Sequence, residues 1–317
     1  MDIRQLRYFS AVLEHRSFTR AAELLRIAQP ALGLQIRKLE EELDVQLLVR
    51  HSRGVEPTEA GLLLQRHADD ILRRVQVARQ ELRDLSDEPR GRVTLGLTPS
   101  TSILFAKRLI ERVEELLPKV QLSIVEELST VLIEWMRDDR LDLALAYNVP
   151  EQTGLDTEAV LRESLFYVQG SAAAGTDQRT VAFAEVAGRP LVMPGMPHGL
   201  RLLLEHHAQQ EGLELQISVE IQSVSSVRDL VEQGIGTTVL PYGAVARQVE
   251  EGRLVARRIV EPEIQRTLFL IASGRRPATR AERALLKIIR TLVGELTRDE
   301  SGIWLPASRR EDPIPAG

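Results

Sequence analysis

Residues 17–40, SFTRAAELLRIAQPALGLQIRKLE, decide the fold of the N-terminal part of the chain. Ser17 is a favourable N-cap for a first helix in this stretch. Pro30 opens a second helix, because the first turn of a helix does not use the amide hydrogen that proline lacks. Only a few residues separate the two helices, so the stretch predicts a helix-turn-helix.

The flanking segments complete a DNA-binding unit. Apolar residues at helical spacing between Leu6 and Leu13 predict a helix before the motif. Residues 45–57 predict two short strands around the turn at 51–54, which is the form of a wing. We therefore expect residues 1–58 to form a winged helix-turn-helix DNA-binding domain.

A long helix should follow Thr58. Apolar residues recur there at alternating steps of four and three, a heptad pattern that is typical of a coiled-coil helix. They are Leu64, Ala68, Ile71, Val75, Ala78, Leu82 and Leu85. We expect residues 59–88 to be a linker helix that joins two copies of the chain. The alternative is an amphipathic helix that packs on its own domain.

From residue 92 the pattern changes to alternating strands and helices, which predicts an α/β fold with mainly parallel sheets. Strands are predicted at 93–97, 120–125, 141–147, 165–168, 191–193, 215–221, 237–240 and 267–272. We expect residues 91–300 to form an effector-binding module of two Rossmann-like subdomains with a cleft between them. The first comprises about 92–161 plus 267–297, and the second 162–266. The proline-rich tail, 301–317, predicts disorder.

Composition excludes several classes of function. The 317 residues include no cysteine, which rules out disulfides, thiolate metal sites and cysteine nucleophiles. The N-terminus lacks an apolar signal region, and no apolar run is long enough to cross a membrane. No nucleophile, metal or nucleotide motif is present. We expect a cytoplasmic protein without catalytic activity, cofactor, metal or membrane partner. The alternative is a cytoplasmic solute-binding protein or an enzyme of the same α/β class.

Candidate DNA contacts lie at the start of the second helix of the motif, because its leading residues face base edges when it enters the major groove. Gln29 suits adenine, Pro30 and Leu32 suit thymine methyl groups, and Gly33 permits only backbone contact or close approach. Phosphate contacts are assigned to Thr19, Arg20, Arg37 and Lys38, and a minor-groove contact to Arg53. Each of these residues could instead be an ordinary solvated side chain.

Candidate effector contacts lie at three junctions between a strand and a helix. Hydroxyl groups at a helix N-terminus favour an anion, and arginine and histidine suit a carboxylate. The candidates are Ser100, Thr101 and Ser102 at the first junction, Ser129 and Thr130 at the second, and His198 and Arg201 at the third. Ordinary helix capping and surface charge are the alternatives. The first junction lacks the Gly-Lys-Ser/Thr of a phosphate-binding loop, so a nucleotide is not expected.

The N-terminal residues resemble LysR-type transcriptional regulators. The similarity runs through SFTRAAELL (17–25), AQPAL (28–32) and QIRKLE (35–40), and continues at Leu43, Leu47, Arg50 and TEAG (58–61). The resemblance implies a linker helix for dimerisation and an effector module like periplasmic binding proteins, up to about residue 297. Gly33 stands where the family usually has serine, and Asp44 where it usually has glycine. The first departure leaves base specificity open.

A looser similarity links residues 96–100, 134–136, 141–144 and 198–201 to the nitrogen-assimilation control subgroup of that family. It implies a regulator of nitrogen or amino-acid metabolism with no obligatory effector. Our principal expectation is a homodimer or homotetramer that binds double-stranded DNA and is modulated by a small-molecule effector, such as a carboxylate, with RNA polymerase as a further partner. An effector-independent regulator is the alternative.

Overall fold

The computed structural model describes residues 1–51, 54–83, 88–150, 153–173, 179–298 and 302–307. The chain divides into two compact units, residues 1–86 and 87–317. Each unit is built around its own hydrophobic residues. The larger unit contains two large cores joined by long strands, the first formed by residues from 93–161 and 268–304 and the second by residues from 165–264, and a smaller cluster around Leu132 and Met136.

The N-terminal unit is a winged helix-turn-helix. Its elements are α1 (Ile3–His15), α2 (Phe18–Leu25), α3 (Gln29–Leu43), β1 (Leu48–His51), β2 (Gly54–Pro57) and α4 (Glu59–Arg83). Ser17 caps α2 by accepting the amide hydrogen of Arg20 at 3.3 Å, as its position predicts. The Thr58 hydroxyl accepts the amide hydrogen of Gly61 at 3.0 Å and so caps α4.

The residue that ends α2 and the residue that ends α3 both have a left-handed backbone conformation. Arg26 (φ 55°) closes α2 and lets the chain turn directly into α3. Asp44 (φ 53°) ends α3 in the same conformation, which asparagine and aspartate tolerate better than most residues. A third constraint lies at Gly61, where a Cβ atom would stand 2.1 Å from the Leu47 carbonyl oxygen. Glycine there lets α4 pass close to the strand that begins the wing.

Helix α4 uses its heptad residues in two ways. Ala68 is wholly buried and Leu64 packs on the core formed by α1, α2 and α3, so the first part of the pattern packs on its own unit. Ile71 and Val75 are half-buried and Ala78 is exposed. These three heptad residues are thus only partly covered within the protomer. Leu85 and the side chain of Leu82 lie outside the described part of the chain.

The C-terminal unit alternates strands with helices. Its strands are β3 (Gly91–Leu97), β4 (Val120–Glu126), β5 (Leu143–Tyr147), β6 (Leu155–Gly170), β7 (Thr180–Ala182), β8 (Leu191–Met193), β9 (Ile217–Glu220), β10 (Thr238–Pro241), β11 (Leu254–Val260), β12 (Gln265–Ser273) and β13 (Trp304–Pro306). Its helices are α5 (Pro99–Leu116), α6 (Ser129–Arg137), α7 (Phe183–Ala187), α8 (Gly199–Gln210), α9 (Val224–Glu232), α10 (Ala246–Glu250) and α11 (Arg280–Thr297). Sequence reasoning missed β7, β11 and the first half of β6.

The sheet is not mainly parallel, so that prediction is wrong. A nine-stranded sheet has the order β4-β3-β5-β12-β6-β11-β7, with β10 and β13 also paired to β6, and β8 and β9 form a separate pair. Strand β3 runs parallel to β4 and β5, but β6 pairs antiparallel with β10, β11, β12 and β13. The physical reason is that β6 and β12 are long strands that pass between the two cores in opposite directions.

These two strands bring one short segment each to the boundary between the cores. Strand β6 leaves the first core at Leu161 and enters the second at Leu165. The return segment leaves the second core at Ile264 and enters the first at Leu268. Residues 162–164 and 265–267 therefore face one another where ligands commonly bind in α/β proteins, at a switch between halves.

The tail is partly ordered, which contradicts the prediction of disorder from residue 301. Trp304 pairs with Glu163 in the antiparallel ladder between β13 and β6. The Trp304 side chain is 9% exposed and contacts the ring of Tyr242 edge-on, at 6.2 Å between centroids. The apolar residues of the tail bury surface and so stabilise it, whereas its proline content alone predicted disorder. Residues 301 and 308–317 lie outside the described part. Within that part, no helix is long and apolar enough to cross a membrane.

Candidate DNA-binding surface and effector site

The outer face of α3 is the candidate DNA-binding surface. Gln29, Pro30 and Ala31 are exposed at its leading end, and Arg37 and Lys38 are exposed further along. The preceding Ala28 makes no side-chain capping bond, so the N-cap residue does not use the free amide hydrogens of the first turn. The surface combines apolar and amide groups suited to base edges with cations suited to phosphates.

Leu32 is not on this surface, which corrects the contact predicted for it. Its side chain is 0% exposed and packs with Ile36 and Leu39 in the core of the unit. Leu34 is instead 50% exposed, four residues after Pro30 and three before Arg37. That spacing places the three residues on one side of the helix. Sequence reasoning missed Leu34, although the spacing of Leu32, Ile36 and Leu39 marks the opposite face.

The remaining DNA candidates have different surroundings. Thr19 and Arg20 are exposed in the first turn of α2, and Gly33 is partly buried on α3. Arg53 lies outside the described residues, between the two strands of the wing. The roles given to these residues stay predictions.

Glu40 connects α3 to the wing. Its Oε1 atom accepts the amide hydrogens of Leu47 at 2.8 Å and Leu48 at 3.1 Å. Hydrogen bonds to a carboxylate are stronger than those between neutral groups, so this contact sets the position of α3 relative to β1. Sequence reasoning gave Glu40 no role, because its partners come from the loop that follows the helix.

A buried polar cluster lies where β6 and β12 cross between the two cores. We call it the crossover cluster, and its members are Ser100, Thr101, Tyr147, Glu163, His198 and Arg266. The centre is a salt bridge of 2.6 Å between Glu163 and Arg266, whose side chains are 1% and 5% exposed. A nitrogen of the same guanidinium donates to the Ser100 hydroxyl at 2.8 Å.

Tyr147 and Thr101 surround this ion pair. The guanidinium carbon of Arg266 lies 3.5 Å from the centroid of the Tyr147 ring, a cation–π contact. Thr101 is wholly buried, and its hydroxyl is 2.7 Å from that of Thr98. The Tyr147 hydroxyl is buried without a hydrogen-bond partner of normal geometry. Burial raises the pKa of Tyr147, so the phenol stays neutral at pH 7.

His198 contributes to the cluster from the start of α8. Its Nδ1 atom accepts the amide hydrogen of Leu200 at 3.2 Å, which caps the helix. The neutral ring then carries its proton on Nε2. Burial lowers the pKa of His198 to about 4, and the positive charge of Arg266 adds to this effect. The imidazole is therefore neutral at pH 7 and offers a hydrogen-bond donor rather than a charge.

The other effector candidates are placed less favourably. The Ser129 hydroxyl accepts the amide hydrogen of Tyr147 at 3.1 Å, whereas Ser102 is half-buried and Thr130 is exposed. Arg201 forms salt bridges with Glu205 at 2.7 Å and Glu220 at 3.1 Å. An effector carboxylate would have to displace both partners, which argues against the role predicted for Arg201.

Sequence reasoning brought Ser100, Thr101 and His198 to the site but missed Glu163, Arg266 and Tyr147. The available signal was a polar interruption within an apolar strand, at 162–164 and at 265–267. In a single sequence that pattern equally describes a strand with one face in water. Within the described ranges, no three His, Asp or Glu side chains cluster as a metal ion would require.

Two family models match the chain. The model described as "Bacterial regulatory helix-turn-helix protein, lysR family" matches residues 3–62. The model described as "LysR substrate binding domain" matches residues 86–294. The first covers the unit that presents α3, and the second covers the unit that contains the crossover cluster.

Similar proteins agree with these matches. The nitrogen assimilation regulatory protein nac of Klebsiella aerogenes is 32% identical over 294 residues, which are 92% of this chain and 95% of that protein. A full-length OxyR variant from Pseudomonas aeruginosa superimposes with a TM-score of 0.72 at 21% identity, covering 92% of this chain and 94% of that one. Full-length CbnR in complex with its target DNA superimposes with a TM-score of 0.71 at 19% identity, covering 93% and 99%. The chain therefore belongs to the LysR family of DNA-binding transcriptional regulators with an effector-binding domain.

Proposed function

We propose that this regulator reads its operator with the outer face of α3. The observation that carries the proposal is the division of α3 into a buried face, formed by Leu32, Ile36 and Leu39, and a solvent-facing side. In a helix-turn-helix the second helix lies in the major groove, and its leading end contacts base edges. CbnR, which shares the fold, is known in complex with its target DNA.

The polar and apolar residues predicted to contact DNA, together with Leu34, have separate proposed roles. Gln29 pairs with adenine through its amide, and Pro30 and Leu34 contact thymine methyl groups. Gly33 lets the backbone approach the groove closely. Cationic and hydroxyl side chains bind phosphates and set the register, and the wing arginine enters the minor groove. The phosphate-binding residues are Thr19, Arg20, Arg37 and Lys38, and the wing residue is Arg53.

We further propose that α4 joins two chains. Ile71 and Val75 are only half-buried in the protomer, and their heptad spacing suits a second helix. A homodimer presents two copies of α3 to two half-sites, and a homotetramer would span a longer operator. Contact with RNA polymerase completes this proposal, since a bound regulator acts on transcription at the promoter.

Two modes of regulation are compatible with the family. In the first, a small molecule binds at the crossover cluster and biases the arrangement of the subdomains, and thereby the spacing of the DNA-binding units. In the second, the regulator acts without an effector, as part of nitrogen or amino-acid metabolism. The nac relative supports the metabolic assignment. The observation that favours the second mode is that Arg266 already holds a carboxylate, that of Glu163.

A fluorescence-anisotropy experiment tests the assignment of α3. The operator would be recovered by genomic footprinting and compared with a scrambled duplex. Gln29→Ala should lose affinity for the operator but not for the scrambled DNA, because a base contact carries specificity. Lys38→Ala should weaken binding to both and reduce the slope of log affinity against log salt by about 1.

Lys119→Ala is the matched control, since it removes an exposed lysine from the other unit. It should leave affinity and salt slope unchanged. Equal losses on both duplexes from Gln29→Ala and Lys38→Ala would contradict the roles assigned to the two residues.

A further inference from the structure

The salt bridge between Glu163 and Arg266 lies where the paired strands β6 and β12 pass from one core to the other, and it is almost completely buried. Glu163 lies on β6 between Leu161 and Leu165, and Arg266 lies on the returning strand between Ile264 and Leu268. Both charged groups are almost completely shielded from water. A buried charge without a partner is strongly unfavourable, so each of these side chains requires the other or a substitute of the same charge.

Groups of the chain itself surround the guanidinium of Arg266. Its Nε and Nη2 atoms donate to Oε1 of Glu163 at 2.8 Å and 2.6 Å. Nη2 also donates to the hydroxyl of Ser100, and the ring of Tyr147 covers one face of the guanidinium. An arginine can use such charge-assisted hydrogen bonds to bind the carboxylate of a ligand. Here the carboxylate comes from β6.

The charges of the crossover cluster are balanced within the protein. Glu163 compensates Arg266, and both Tyr147 and His198 are neutral at pH 7. No uncompensated positive charge therefore remains among these residues to attract a small anion. The anionic effector expected from the hydroxyl groups at the start of α5 would compete with a resident carboxylate that is already in place.

We propose that Glu163 is a built-in carboxylate ligand of Arg266, which excludes carboxylate effectors from the crossover cluster and holds Arg266 against Ser100 of the first subdomain without one. The inference refines the proposed function, because it concerns the regulation of the same site. It predicts that the regulator is in its liganded arrangement at all times, as an effector-independent regulator should be. It also makes Glu163 the residue that decides which ligands the site accepts.

Chemical rescue by acetate tests this proposal on the full-length chain. Glu163→Ala removes a CH₂–COO⁻ group, so the space it leaves has nearly the size and charge of acetate. Thermal unfolding would be followed against sodium acetate up to about 100 mM, with chloride keeping the ionic strength constant. The variant should unfold at a lower temperature than wild type. Acetate should then raise its midpoint saturably, by about 3 °C or more, while the wild-type midpoint stays unchanged.

Two further variants make the result specific. Glu158→Ala lies on the same strand and removes a carboxylate from an exposed salt bridge with Arg290, so acetate should not rescue it. Glu163→Gln keeps the volume of the side chain, so acetate should not raise its midpoint either. A saturable response of the wild type, equal to that of Glu163→Ala, would overturn the proposal. So would a Glu163→Ala variant that folds but does not respond.

The experiment remains decisive if Glu163→Ala does not fold. In that case wild type is compared with Arg266→Gln, which lacks the cation. An acetate-dependent rise that occurs in wild type and disappears in Arg266→Gln would show that Arg266 is open to external anions, and would overturn the proposal. Insensitivity of both proteins to acetate would support it. Neither measurement uses DNA, so failure here is distinguishable from failure of the role assigned to α3.

Discussion

At the scale of single residues, the polar groups with the clearest structural roles are buried or half-buried ones that connect different elements. Glu40 connects α3 to the start of the wing, and Glu163 connects β6 to Arg266 on β12. His198 has a third role of this kind, because one nitrogen caps α8 while the positive charge of Arg266 helps to lower the pKa of the ring. Because His198 is buried, the stability of the C-terminal unit should depend on pH.

We expect His198 to destabilise the C-terminal unit as the pH falls. The folded-state pKa, about 4, is below the ordinary value of 6.5, so the unfolded chain binds more protons between these values. Stability is therefore fully present above pH 6.5 and is lost as the pH falls from 6.5 towards 4. The loss is about 3 kcal/mol at most. Urea unfolding at a series of pH values measures it.

His198→Asn is the matched variant, because asparagine also caps a helix but does not titrate in this range. Other groups titrate alike in the two proteins, so the difference between their free energies of unfolding isolates His198. Wild type should lose stability relative to the variant below pH 6.5. Parallel curves for the two proteins between pH 6.5 and 5 would show that the histidine is not responsible.

At the scale of elements, β13 connects the two cores of the C-terminal unit. Ile303, the residue before β13, packs against both cores, and Trp304 belongs to the first. The strand pairs with β6 at the position of Glu163. Burial of a tryptophan removes a large apolar area from water, and its loss should be costly.

Truncation should therefore have different effects on either side of β13. A chain that ends at residue 301 exposes the surface that Trp304 covers and should be destabilised by about 3 kcal/mol or more, by analogy with tryptophan-to-alanine changes in cores. A chain that ends at residue 307 keeps all of β13 and serves as the control. Thermal unfolding should separate the two. A 301-residue chain as stable as the 307-residue chain would contradict a stabilising role for this strand.

At the scale of the whole molecule, the proposed activity depends on pairing two DNA-binding units. The first heptad residues of α4 pack within the protomer, so in the proposed dimer the later ones would supply the contact between chains. Such a division is consistent with a helix that belongs to its own unit at one end and to a partner helix at the other.

Val75→Asp should convert the dimer into a monomer. A carboxylate at a heptad position would be buried without a partner in the coiled coil, whereas Val75 is only half-buried in the single chain. Sedimentation equilibrium measures the mass, and circular dichroism checks that the helix persists. Arg74→Ala, one residue away on the exposed side of α4, should stay dimeric. A dimeric Val75→Asp protein would place the contact elsewhere.

The helix-turn-helix could be predicted from the sequence because the interactions that form it are local. The caps at Ser17 and Thr58 act over three residues, and the buried face of α3 repeats at helical spacing. Only Leu32 was placed on the wrong face, since it was assigned by its distance from the helix start rather than by its period. The two-core layout was likewise visible in the alternation of strands and helices.

The crossover cluster could not be predicted in this way, because Glu163 and Arg266 are 103 residues apart and each is one polar residue within a strand. Pairing between such residues depends on the antiparallel register of β6 and β12, which a single sequence does not encode locally. The same holds for β13, whose burial depends on a distant strand. Local periodicity and capping were enough to predict a helix-turn-helix followed by an α/β module, and the resemblance at residues 17–40 predicted the LysR family. Only the tertiary structure shows that the carboxylate beside Arg266 comes from the protein itself. Folding removes both charges from water, and each buried charge then needs the other as its partner.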